Sequence, residues 1–222
     1  MSCSRETPDL ALGLQYRTKR AIALSLESMI AIEFDESSSA DFKLACLALQ
    51  SAQLRPELNV HQIDAPANLA RHAIAFSCDV EQKSTSAKID QGTGRFVLLW
   101  DDLPQENWTT NFRVICFAKS PLETDIGFND ESSDLAWAWL NAALATRAAT
   151  YEAEAGTTTR VISVGHGSIA GQNPHAELEL RASWCPTGES IAAHLEAWQD
   201  LICMMSGYSL HGEEVPSIER RG

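Results

Sequence analysis

The chain has 222 residues, 45% of them hydrophobic and 21% charged, with a formal net charge of −13. A chain of this length buries a core without disulfide or metal staples, and the composition excludes fibrous and low-complexity classes. The acidic field repels phosphate backbones, so nucleic-acid binding driven by counterion release is disfavoured, leaving open only a local basic patch.

The first 37 residues read as an N-terminal extension that ends in an acidic, serine-rich linker, Glu33 to Ser39. Its apolar stretch, Arg17 to Ile32, is broken by Glu27 and too short to span a bilayer. A cytoplasmic protein without membrane association is therefore expected. From 38 to 208 the pattern predicts a single α+β domain, followed by an irregular tail over 209–222.

Ser38 or Ser39 is placed to cap a helix from Ala40 to about Gln53, which must stop before Pro56. A short strand is expected over Asn59–Ile63 and a helical turn over Ala65–Ala70. His72–Val80, Gly94–Trp100 and Asn111–Ala118 read as strands of an antiparallel meander, the second apolar on both faces and so central. Ser132–Ala148 is Ala- and Leu-rich behind a Ser/Asp start, which predicts a helix. Thr150–Val164 holds one strand, or two split at Gly156. Ala176–Trp184 alternates cleanly, with Leu178, Leu180, Ala182 and Trp184 on one face, as in a half-exposed strand. Thr187 is placed to cap a last helix that runs to Met205 and carries Ile191, Leu195, Trp198 and Ile202 on one stripe.

The fold class that follows is an antiparallel sheet with helices packed on one face. A hairpin-plus-helix unit recurs: Arg95 and Arg160 stand 65 residues apart, as do Pro121 and Pro186, each proline preceding a Trp-bearing helix. This raises an internal duplication. The element order is similar to that of type III secretion chaperones and YbjN-like proteins, which implies binding rather than chemistry.

Seven stretches run in order: LQSAQLRPEL (49–58), TGRFVLLWD (93–101), NWTTNFRVICFAK (107–119), WAWLNAAL (137–144), GTTTRVIS (156–163), ELRASWCP (179–186) and AAHLEAWQDLIC (192–203). Together they resemble the actinobacterial domain-of-unknown-function family number three thousand, over about Asp41 to Tyr208. The resemblance implies no transferable activity. A ribonuclease D-like gene beside members of that family implies at most a link to RNA metabolism. Members carry SESFGG where this chain has Ser163-Val164-Gly165-His166-Gly167-Ser168, so a role for His166 is not implied by the family.

The candidate site residues are Arg95, Arg113, Arg160, Arg181, Trp108 and His166. The four arginines fall in or beside predicted strands, where a shared face makes an anion site and cross-strand glutamates make a solvated one. Trp108 sits in a polar turn, PQENWTTN, and reads as an exposed interaction or base-stacking residue. His166 stands in Gly165-His166-Gly167-Ser168, the wrong order for a nucleophile elbow and right for a glycine turn. A metal pair with His175 lacks a third ligand. Glu123, Asp125, Asp130, Glu131 and Asp134 do not match a calcium loop and read as a solvated lead into a helix N-terminus.

Of the six cysteines, Cys3, Cys46, Cys78, Cys116, Cys185 and Cys203, no two form C-x-x-C. Most lie in apolar runs and read as buried structural thiols of a reducing compartment. No catalytic residue, metal or cofactor is assigned. The expectation is a binding or adaptor protein, chaperone-like, whose partner is another protein. An accessory factor in RNA processing is the alternative, and an enzyme with a hidden pocket the third.

Overall fold

The computed structural model describes residues 30–80, 92–103, 105–122, 132–171, 173–188 and 190–210. They form α1 (Ala40–Gln50), β1 (Leu58–Ile63), β2 (His72–Val80), β3 (Thr93–Trp100), β4 (Phe112–Leu122), α2 (Ser132–Thr146), β5 (Tyr151–Ser163), β6 (His175–Pro186) and α3 (Ile191–Met205). The class is α+β. Among the described residues one sheet of six strands has the order β1-β2-β3-β4-β6-β5, every neighbour antiparallel.

Strand alternation decides which side chains meet the helices. Ile74, Phe76 and Cys78 of β2, Phe96 and Leu98 of β3, Val114 and Cys116 of β4, and Leu178, Leu180 and Trp184 of β6 all point one way. All three helices pack on that face, through Phe42 and Leu49 of α1, Leu140 and Leu144 of α2, and Leu195, Trp198 and Leu201 of α3. The helix α2 approaches β5 so closely that a Cβ on Gly156 would stand 2.5 Å from the Trp137 ring.

Several boundaries differ from the sequence expectation. The strand β4 runs through Pro121 to Leu122, and β6 extends beyond Trp184 to end at Pro186. The cap of α3 is Ser190, whose hydroxyl accepts the Ala193 N–H, while Thr187 donates its N–H to the Thr150 carbonyl. Residues 65–70 form turns, not a helical turn, because Asn68 takes a positive φ of 63°. Thr150–Val164 resolves to one long strand with a bulge between Glu152 and Ala155.

The expected extension is partly core. Ile30 and Ile32 are buried among the helices, and the Gln62 side chain bonds both the N–H and the carbonyl of Glu33, each at 2.7 Å. Residues 1–29, with Cys3 and most of the expected leader, lie outside the described residues, as do 211–222 of the expected tail. The hairpin-then-helix unit occurs twice, as β3–β4–α2 and β5–β6–α3. Its two matched arginines part company: Arg95 pairs with Phe117 on the face away from the helices, and Arg160 pairs with the core residue Leu178.

Candidate binding groove on the outer sheet face

The face away from the helices is only partly roofed. Two loops at one end of the sheet, 64–71 and 101–111, fold back over it. They are tied together by the Arg71–Asp102 ion pair and by the Gln105 side-chain amide donating to the Leu69 carbonyl at 2.6 Å. Beneath them Ala75, Val97 and Leu99 form a small second core, against which Ile63, Ala70, Ile115 and Trp108 pack. Trp108 is thus half-buried rather than exposed: its turn is polar, but its ring covers the apolar middle of β3.

Beyond the Trp108 loop the roof stops. An open depression of about 530 Å³ remains, walled by Leu69, Trp108 and Thr157 and floored by Leu99 and Ile115. Arg113 and Arg181 also line it.

The register explains the grouping. Arg95, Phe117, Arg181 and Thr157 form one cross-strand row, and Leu99, Arg113 and Cys185 another. Arg95, Arg113 and Arg181 therefore share the outer face, while Arg160 does not.

The arginines differ in what they are doing. Arg113 is committed inside the protein: it donates to the Ala153 carbonyl at 3.0 Å, the Ser183 hydroxyl at 2.7 Å and the Cys185 sulfur at 3.3 Å. It braces the β5 bulge, where Ala153 holds a positive φ of 52°. Arg181 lies over the Phe117 ring at 5.1 Å and donates Nε to Glu179, with its side chain 66% exposed. Arg95 is exposed in the same row.

His166 stands at the other end of the sheet. It is exposed, it precedes a single 3-10 turn over Gly167–Ile169, and Gly167 takes a φ of 62°. This is a turn, and it does not join the groove. His175 is exposed across the same connection. Among the described residues no group of three or more His, Cys, Asp or Glu side chains is placed to hold a metal. Glu123, Asp125, Asp130 and Glu131 lie outside the described residues.

The five described cysteines are free and buried. Burial pushes the thiols of Cys46, Cys116 and Cys203 up to about 12. Cys185 goes the other way. Burial raises it, but hydrogen bonds from the Arg113 guanidinium and the Thr109 N–H outweigh that and hold it below the ordinary thiol value. Its sulfur is fully enclosed, so this is a hydrogen-bonded strut under the groove.

A charged network on the helix side carries no sequence signal of its own. Arg55, buried, bonds Glu57 and Asp200, each at 3.0 Å, and the carbonyls of Ser209 and Leu210. Arg147 reaches Asp200 at 2.6 Å and Glu196 at 3.0 Å. The five side chains come from three separate parts of the chain, around 55–57, 147 and 196–200, and no local spacing signals that these parts meet. Every charge has an opposite partner, which marks a clamp between helices rather than a site awaiting a ligand.

A family model described as "Protein of unknown function (DUF3000)" matches residues 38–214. No curated protein and no solved structure matches the chain.

Proposed function

The chain belongs to the DUF3000 family, and we propose from the groove that it is a binding module, not an enzyme, whose partner is an acidic, extended protein segment. One observation carries this reading: the outer sheet face leaves an apolar-floored groove beside Trp108, lined by Arg181, with Arg95 outside it in the same cross-strand row. An aliphatic or aromatic side chain fits over Leu69, Leu99 and Ile115, and a neighbouring carboxylate meets Arg181. The chain's own acidic field works against acidic partners at a distance, so recognition depends on close contact rather than on steering. Among the described residues no helix is long and apolar enough to cross a membrane, and a cytoplasmic location fits the buried free thiols.

The arrangement favours RNA less. The guanidinium of Arg113 is occupied by its own chain, and Arg160 faces the helices, so the row of arginines offered to a phosphate backbone shrinks to Arg95 and Arg181. The enzyme reading loses its candidates too: His166 lies at the far end of the sheet and Cys185 is enclosed.

Panning the full chain against a displayed peptide library tests the proposal. Enriched peptides are expected to combine a carboxylate with an aromatic or aliphatic residue, and their affinity to fall by about tenfold or more in Arg181→Glu and in Leu69→Arg. Enrichment of basic peptides, or binding indifferent to both substitutions, overturns it.

A further inference from the structure

The two edges of the sheet are unlike. At the β1 edge, residues 30–34 lie alongside, and the Gln62 amide imitates a strand partner by bonding both backbone groups of Glu33. At the other edge stands β5, 13 residues long, with no described strand on its outer side. Thr157, Thr158, Thr159, Val161 and Ile162 give its straight part high strand propensity, and it holds no proline. An edge of this kind is a template for another strand.

We infer that β5 pairs with β5 of a second copy, antiparallel and centred on Thr157. The register follows from parity and charge. Opposed residues must project to the same face, so a self-pairing is centred on a residue, not between two. The charges of the strand are Glu152, Glu154 and Arg160. Centring on Thr157 sets Glu154 of each copy opposite Arg160 of the other, twice by symmetry. Gly156, Thr158 and Arg160 project to the helix side, and alternation back from Ala155 sets Glu154 on that side as well.

No other register opposes Glu154 to Arg160. Centring on Gly156 would oppose Arg160 to Glu152, but the bulge turns Glu152 to the outer face, beside Cys185. Centring on Arg160 sets like charges against each other. The bulge also ends the new ladder at residue 154, which leaves seven residues, 154–160, on each strand; strands of about this length are common in sheets. Arg160 has a contact within its own chain, and a guanidinium with five donors serves a second partner. The two-fold axis stands perpendicular to the sheet, so both outer faces lie on one side. The pairing does not depend on what the groove binds.

Sedimentation equilibrium of the full chain over a range of concentrations tests this. A reversible dimer is expected. Glu154→Arg and Arg160→Glu should each weaken it about tenfold or more, by opposing like charges at both symmetric positions. The double variant Glu154→Arg/Arg160→Glu should restore the affinity to within about threefold, because the exchange rebuilds both pairs. A chain that stays monomeric overturns the inference. A dimer indifferent to Glu154→Arg removes the edge from the interface, and a double variant as weak as the singles overturns the register. Loss of peptide binding with the dimer intact counts against the groove alone.

Discussion

The helix face and the outer face of the same sheet use charge in opposite ways. On the helix side, Asp200 is 1% exposed and sits between two arginines whose donors are nearly all engaged. On the outer side, Arg181 is mostly exposed, with Glu179 beside it and Phe117 below. Dielectric makes the difference. A buried charge that loses its partner cannot turn to water, whereas an exposed one can. The inner charges therefore hold the fold, and Arg181 on the outer side stays in contact with water.

The sharpest way to break this contrast is Asp200→Ala. It removes the carboxylate that Arg55 and Arg147 share, leaving three buried or half-buried donors unmatched beside Glu57 and Glu196, and denaturant unfolding should show a loss of about 3–5 kcal/mol. A loss below about 1 kcal/mol would mean that the network is wet and exchangeable like the outer face.

A second test uses pH. His194 is buried, which lowers its pKa from the ordinary 6.5 to about 4, and its Nδ1 accepts the Trp184 indole N–H at 3.0 Å. The unfolded chain takes up this proton near 6.5 and the folded one only near 4. Its contribution is therefore complete above about pH 6.5, declines as pH falls from there, and levels off below about pH 4. The total on the order of 3 kcal/mol is to be read from unfolding free energies across that range. His194→Gln should flatten that part of the profile; an unchanged slope would assign it to carboxylates instead.

The smallest effect belongs to the outer face. Arg181→Ala should change stability by less than about 0.5 kcal/mol, because an exposed pair and one ring contact contribute little. Peptide binding should nevertheless suffer. A large loss of stability in this variant would make Arg181 a structural residue like Arg113.

Arg113 shows where sequence reading and structure diverge. Its place in a strand leaves open which arginines share its face, and only the register sets it with Arg95 and Arg181. Nothing local says that its guanidinium turns inward to Ala153, Ser183 and Cys185, since those acceptors lie 40 residues away and more. Trp108 is similar: a polar turn predicts an exposed ring, and only the return of the loop over Val97 and Leu99 covers it. The glycines around His166, by contrast, identify a turn from sequence alone because backbone freedom is a local property.

The sequence by itself determined the α+β class, the antiparallel strands, the apolar face of β6 and the turn at His166. Each follows from side-chain period or from residues that set their own backbone angles. Only the tertiary structure decided that Arg160 stands apart from the other three arginines, that Arg55, Arg147 and Asp200 form a clamp, and that β5 is the sheet's open edge. Those outcomes depend on strand order and on contacts between residues 40 to 145 positions apart, for which the sequence carries no periodic signal.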